Sequence, residues 1–155
     1  MSEKVKLLFG FFGLFVLLQF IPVDRSNGDN LNEIKEPENV KKIFQRACYD
    51  CHSNYTNWPK YSYIFPVSVI ISHHVKEGRH ELNFSEWESY SAKKKVKKAS
   101  EITEALNEKE MPIFGYTFTH PEAVISAEDL KVISAWEESM YDKYQLKKEA
   151  EDSEK

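Results

Sequence analysis

The sequence predicts an all-α fold, because its apolar residues recur at the spacing of helix faces and strand-like alternation is weak throughout. One predicted helix follows Pro37 and has its apolar face at Val40, Ile43, Phe44 and Ala47. A second helix follows Pro66, and a last one begins after Ser126 with its apolar face at Leu130, Ile133, Trp136 and Met140. The first and last of these helices are expected to cross, with Phe44 near Trp136.

Helix ends are predicted from proline, glycine and serine. Pro37 and Pro66 suit the first residue of a helix, where a missing N–H costs little. Gly78 is the predicted C-cap of the second helix, and Ser85 is a predicted N-cap ahead of a short acidic turn. Ser126 with the acidic residue three positions later resembles a capping box.

Length and composition predict one domain with a real core. The chain has 155 residues, of which 41% are hydrophobic and 30% are charged, as is ordinary for a soluble domain. Five glycines and six prolines are too few for a fibrous or low-complexity chain. The net charge of −4 gives no indication of nucleic-acid binding, and none is predicted.

The most informative stretch is Cys48-Tyr49-Asp50-Cys51-His52, which reads C-x-x-C-H. This is the attachment pattern of a c-type haem, in which two thiols form thioethers with the two vinyl groups and the histidine ligates the iron. These are the only cysteines in the chain, and the motif occurs once. The sequence therefore predicts one covalently attached haem c, with His52 as an axial ligand.

Other uses of C-x-x-C remain open at this point. A thioredoxin-like dithiol would follow an apolar strand, whereas here the preceding residues have helical spacing. A zinc site would need two further ligands, and the remaining histidines lack the usual spacing. A local disulfide would leave His52 without a role.

The N-terminus predicts a membrane segment. Lys4 and Lys6 precede an apolar run over residues 7–23. A positive start and roughly 17 mostly apolar positions favour an uncleaved signal anchor over residues 1–23, at the short end for a span. A cleaved secretory signal is the alternative. The anchor predicts a single span of the inner (cytoplasmic) membrane with the haem domain on the periplasmic or extracytoplasmic side.

The rest of the chain divides into three predicted parts. Residues 24–37 are polar and turn-rich and are expected to form a linker. Residues 38–146 are expected to form the haem domain, and residues 147–155 a short charged tail that frays.

The second axial ligand is predicted to be Met111, which lies just before Pro112 and just after a predicted helix. Methionine is a soft ligand, and His/Met ligation raises the reduction potential relative to His/His. His120 is the alternative donor, and His74 is expected to be a core histidine. If no side chain binds, the iron is open to peroxide or gas chemistry. The other ring nitrogen of His52 is expected to donate to a carbonyl, for which the Trp58-Pro59 turn is close in sequence.

A basic run at Lys93, Lys94, Lys95, Lys97 and Lys98 has two interpretations. It is either a solvated helix face or a docking patch for an acidic redox partner. The aromatic loop that includes Trp58 also has two interpretations, since its rings could shield a haem from water or fill the core.

Several stretches together resemble the haem-binding domain family of bacterial exported proteins, which are single-haem, cytochrome c-like modules. The resemblance covers roughly residues 39–141. It is carried by the motif at Cys48 to His52, Trp58-Pro59-x-Tyr61, Gly78-Arg79, Leu82-Asn83-Phe84-Ser85-x-Trp87, Met111-Pro112 and Thr119-His120-Pro121.

The resemblance implies a c-type haem with His52 proximal and Met111 distal. It also implies that Arg79, Asn83 and Trp87 help to frame the haem pocket. Arg79 is interpreted either as a partner of a haem propionate, which its fork of N–H donors suits, or as a surface arginine.

Two functions follow from these expectations. The first is a membrane-anchored electron carrier that works with unidentified redox proteins and is not an enzyme. The second is a haem enzyme or sensor, peroxidase-like or gas-binding, with an open axial site. The Met-Pro stretch favours the first, because a ligand there closes the iron.

Overall fold

The computed structural model describes the backbone of residues 2–153 and the side chains of residues 2–145. The predicted all-α class is confirmed, since every regular element of the described backbone is helical. The α-helices are α1 (Glu3–Leu18), α2 (Glu38–Ala47), α3 (Tyr49–His52), α4 (Val67–Glu81), α5 (Ala92–Asn107), α6 (Phe114–Thr119) and α7 (Ala127–Ser153). Short 3₁₀ helices cover Lys60–Tyr63, Phe84–Ser89 and Pro121–Ala123.

Aromatic side chains join α2, α7 and the 3₁₀ helix at Phe84–Ser89 into one core. Phe44 meets Trp136 edge-on with ring centroids 5.2 Å apart, which confirms the predicted contact between the two helices. Phe84 stacks on the other side of Phe44 at 4.6 Å. Phe44, Phe84 and Trp87 are fully buried, so this cluster supplies much of the apolar burial that holds the fold.

The start of α7 contains the predicted capping box. The N–H of Asp129 donates to Ser126 Oγ at 3.1 Å, and the N–H of Ser126 donates to Asp129 Oδ2 at 2.8 Å. The predicted inner face is also confirmed, since Ile133, Trp136 and Met140 are buried. The helix continues to Ser153 without a break at residue 147, so the predicted tail is helical as far as the described residues extend, and residues 154–155 lie outside them.

The segment predicted as a linker packs onto the domain. Ile34 is only 1% exposed, and its N–H donates to the carbonyl of Phe84 at 2.9 Å. Arg25 donates from Nη2 to the carbonyl of Ser62 at 2.8 Å. Residues 24–37 therefore contribute to the core and to the support of the loop after the motif.

Two predicted helix ends differ from the structure. Gly78 does not cap α4, which continues to Glu81, and Gly78 lies inside the helix. Asn83, and not Ser85, is the N-cap of the 3₁₀ helix, because its side chain accepts the N–H of Ser85 at 3.0 Å. The Ser85 hydroxyl instead accepts the N–H of Asn54 at 2.8 Å, so it serves the loop after the motif.

The predicted membrane span is not supported by the helix found there. α1 has 16 residues, and in the described part of the chain no helix has both the length and the apolarity to cross a membrane. Its apolar side chains are largely exposed on all sides, as at Leu8, Phe11 and Phe12.

Candidate functional site

A cavity of about 690 Å³ lies beside the Cys48–His52 motif. Its walls come from the motif, from α4 and α5, and from the loop between α5 and α6 together with Tyr116. This volume is typical of pockets that bind cofactors and other small molecules. The predicted site residues that line it are Cys48, Cys51, His52 and Met111.

His52 is held by two main-chain carbonyls at the end of α4. Its Nδ1–H donates to the carbonyl of Gly78 at 2.8 Å and to that of Leu82 at 3.2 Å. The expected carbonyl acceptor is therefore present, but it belongs to α4 and not to the Trp58-Pro59 turn. With Nδ1 donating, Nε2 carries the free lone pair that a metal ligand needs.

Burial lowers the pKa of His52 below its usual value, although both carbonyls act in the opposite direction. The imidazole is therefore neutral at physiological pH. A neutral, oriented imidazole with one free nitrogen is ready to bind a metal without first losing a proton.

Gly78 allows α4 to approach the motif closely. A Cβ at this position would lie 2.6 Å from the carbonyl oxygen of Cys51 and 3.2 Å from its Cβ. Only glycine permits this contact without a shift of backbone. The close approach is what brings the carbonyls of Gly78 and Leu82 within reach of His52.

The two thiols are unlike those of a redox dithiol. Burial raises the pKa of Cys48 to about 12 and that of Cys51 to about 11. A thioredoxin-like cysteine has a lowered pKa, because its thiolate must attack a disulfide. Zinc also lacks support, since residues within the described region form no group of three or more potential metal ligands. The redox-dithiol and zinc interpretations of the motif are therefore disfavoured.

Of the candidate distal ligands, Met111 lines the cavity and His120 does not. The ring of His120 stacks against that of Tyr116 with centroids 4.2 Å apart. His74 also lines the cavity and is exposed, so the prediction of a core histidine there was wrong. His74 lies on α4, the helix that holds His52, whereas Met111 lies on the loop between α5 and α6.

Arg79 is directed to the segments around the motif and is not among the cavity-lining residues. Its Nε donates to the carbonyl of Ser53 at 2.8 Å, and its Nη1 donates to that of Ser26 at 2.9 Å. Its Nη2 donates to Thr56 Oγ1 at 2.8 Å. The propionate interpretation is not supported, because these protein oxygens already use the guanidinium.

Asn83, Trp87 and Trp58 are likewise outside the cavity lining. Asn83 is buried and donates from Nδ2 to Asn54 Oδ1 at 3.0 Å, which fixes the loop after His52. Trp87 is fully buried beside Phe84, which itself lines the cavity. Trp58 is half-buried in the aromatic loop. Trp87 therefore reaches the cavity through Phe84, whereas the side-chain hydrogen bonds of Asn83 go to residues outside the lining.

Several cavity residues carry charges or hydroxyls that the sequence did not point to. Among the described residues of the lining, Lys98 is the one lysine or arginine, and its Nζ lies 2.7 Å from Glu101 Oε2. Carboxylates also line the cavity, at Asp50, Glu77, Glu81, Glu101 and Glu110. Tyr116 donates to Asp50 Oδ2 at 2.9 Å, and burial followed by the Asp50 charge raises the pKa of its hydroxyl well above the usual range.

The lysine run on α5 is largely engaged by its own domain. Lys95 pairs with Glu88 at 2.7 Å, and Lys97 and Lys98 both pair with Glu101. The Nζ of Lys94 lies 3.5 Å from the centre of the Tyr90 ring, as in a cation–π contact. These partners favour the solvated-face interpretation over a docking patch.

These residues fit a haem. The cavity brings together two thiols, a neutral imidazole held at Nδ1, and a thioether from a separate loop. Its apolar walls include Phe84, Ile102 and Leu106. The fold and the site thus define an all-α haem-binding domain.

The comparison with family models agrees. The model of the haem-binding domain family matches residues 13–139, and the chain belongs to that family. No curated protein and no solved structure matches the chain.

Proposed function

We propose that this protein is an exported, cytochrome c-like electron carrier that binds one haem c covalently. The observation that carries the proposal is that Cys48, Cys51, His52 and Met111 line the same cavity. When bound, haem c supplies an iron that cycles between the ferrous and ferric states. The protein residues bind it, orient it and limit access to it.

The two thiols provide the covalent attachment. Each Sγ–H would add across one vinyl group of the haem, so that a C–S bond would form and the thiol proton would end on the neighbouring vinyl carbon. Nothing leaves, and no oxidant is required. Cys48 and Cys51 are at the right spacing to reach both vinyl groups of one porphyrin.

His52 and Met111 would hold the haem iron. His52 offers Nε2 because Nδ1–H is held by Gly78 and Leu82. Met111 comes from the loop after α5 and therefore approaches from a different segment than α3 and α4. Two donors from two separate segments suit the two faces of a planar ligand.

Lys98 is the proposed partner of a propionate. Unlike Arg79, it lines the cavity, and its side chain is mostly buried. Its ammonium pairs with Glu101 at 2.7 Å and has further N–H donors to offer to a second carboxylate. A carboxylate of the cofactor is chemically equivalent to that of Glu101.

The visible spectrum separates a carrier from an enzyme or sensor. We expect a low-spin ferric protein with the weak red absorption band of methionine-ligated haem, and slow binding of cyanide or carbon monoxide. A high-spin ferric spectrum with rapid uptake of either ligand would replace the carrier by the peroxidase-like or gas-binding alternative.

Replacing Met111 should open the iron. In Met111→Ala we expect the red band to disappear, external ligands to bind readily, and the reduction potential to fall by on the order of 100 mV, because the axial ligand dominates the potential. His74→Ala is the matched comparison, since His74 is the cavity-lining histidine outside the motif among the described residues. If His74→Ala opens the iron and Met111→Ala leaves the spectrum unchanged, the axial assignment passes to His74.

We further propose that the domain lies outside the cytoplasm and is held at a membrane surface by its N-terminal segment. At that surface the domain meets its redox partners. The apolar side chains of α1 are exposed, and Gln19 Oε1 accepts the N–H of Phe65 at 2.9 Å, which joins the end of α1 to the domain. An exposed apolar surface of this extent is typical of sites that contact a membrane or another protein.

Membrane association is tested by fractionation of cells that express the chain with or without residues 1–23, each version directed out of the cytoplasm. We expect the full chain to sediment with membranes and to be released by detergent, and the shortened chain to remain soluble. Equal distribution of the two chains between the fractions would contradict this part of the proposal.

A further inference from the structure

The loop that carries Met111, residues 108–113, continues directly into α6, and α6 has little apolar burial to hold it. None of the six residues of α6 is buried, and Phe114 and Phe118 are 83% and 77% exposed. Apolar burial therefore contributes little to the position of α6. The position of α6 therefore depends more on its hydrogen bonds to the rest of the domain.

Two side-chain contacts join α6 to the motif and to the loop after it. The Tyr116 hydroxyl donates to Asp50 Oδ2 at 2.9 Å, and Asp50 stands between the two cysteines. Farther along α6, the hydroxyls of Tyr61 and Thr119 lie 3.1 Å apart at an exposed position. The Tyr116 bond is partly buried and has a charged acceptor, so it is the stronger of the two.

Both partners of the Tyr116 bond are held in place by further contacts. Asp50 Oδ1 accepts the N–H of Asn57 at 3.0 Å, which fixes the carboxylate. The Tyr116 ring stacks on His120 at 4.2 Å, which fixes the direction of its hydroxyl. The bond therefore joins two groups whose orientations are each restricted by a further contact.

We propose that Tyr116 is a positioning residue that keeps the Met111 loop closed over the haem through its hydrogen bond to Asp50. This role rests on the proposed ligation by Met111. Tyr116 follows Met111 by five residues, and both side chains line the same cavity. A restraint on Tyr116 therefore also restrains the Met111 thioether. Without the hydrogen bond to Asp50, the coordination position assigned to Met111 is accessible to outside ligands for a larger fraction of the time.

The test uses the purified holoprotein and imidazole as the probe. Tyr116→Phe removes only the hydroxyl, and we expect the ferric variant to bind imidazole about tenfold faster, a change equivalent to about 1.4 kcal/mol. Its red absorption band should weaken while the haem content stays that of wild type. Tyr141→Phe is the matched control, because Tyr141 is exposed on α7 and does not line the cavity; it should bind imidazole at the wild-type rate.

A second comparison tests the pairing itself. In an Asp50→Ala background, Tyr116→Phe should add nothing to the binding rate, since its acceptor is already gone. A further tenfold rise in that background, or a wild-type rate for Tyr116→Phe alone, would overturn the role of Tyr116. An unchanged spectrum for Met111→Ala would instead overturn the ligation on which this role rests, so the two failures are distinguishable.

Discussion

The double variant Cys48→Ala/Cys51→Ala is expected to contain no covalent haem. Wild-type protein made in a host with cytochrome c maturation should carry the mass of one haem through denaturing mass spectrometry, and should keep its colour in acidified acetone. The double variant should show the mass of the polypeptide alone, because no other cysteine exists to form a thioether. This is the largest effect expected of any change in the chain.

The single variants provide the internal control for this result. Cys48→Ala and Cys51→Ala each leave one thiol in the cavity lining, so each should retain some covalently bound haem through a single thioether. Haem that remains covalently bound to the double variant would refute attachment through these thiols. A wild-type protein that loses its colour in acidified acetone would refute the c-type assignment, while the family membership would still predict haem binding.

Gly78→Ala is expected to damage both the stability and the haem site. The added Cβ would meet the Cys51 carbonyl oxygen at 2.6 Å, so α4 and the motif must separate. Overpacking of this kind costs about 1–3 kcal/mol in the free energy of unfolding. The same separation moves the Gly78 and Leu82 carbonyls away from His52, so the yield of low-spin haem should fall as well.

Gly115→Ala is the matched control for Gly78→Ala. Gly115 is also a helical glycine, but a Cβ there would have no neighbour within 4 Å. Alanine is the better helix former, so this variant should be as stable as wild type or slightly more stable. Chemical denaturation of both variants, followed by circular dichroism, measures the difference. Equal stability of the two would contradict the close approach of α4 to Cys51.

Features set by local pattern were predictable from the sequence. The haem-binding class was predictable from the spacing of the motif at Cys48–His52, and the capping box at Ser126 depends on residues three positions apart. The contact of Phe44 with Trp136 was also predictable, since two amphipathic helices must bury their apolar faces against something.

Features set by contacts between distant segments were not predictable. Gly78 looked like a helix end because glycine is common there, whereas its role is to let Cys51 approach, and no local signal distinguishes the two. Arg79 suited a carboxylate by its chemistry, yet its partners are carbonyl and hydroxyl oxygens of segments 23 to 53 residues away. Leu31 and Ile34 are the two apolar residues of the polar stretch 24–37, and only Ile34 is buried, so no pattern in the sequence distinguished it.

The acceptors of the His52 ring proton are both peptide oxygens, of Gly78 and Leu82. Every residue carries such an oxygen, so no exchange of side chains at these two positions can delete the acceptor itself. Substitution can therefore displace these acceptors only by changing the path of α4, as expected for Gly78→Ala. The Nδ1–H tautomer of His52 thus depends on the course of the backbone and not on the identity of any one neighbouring side chain.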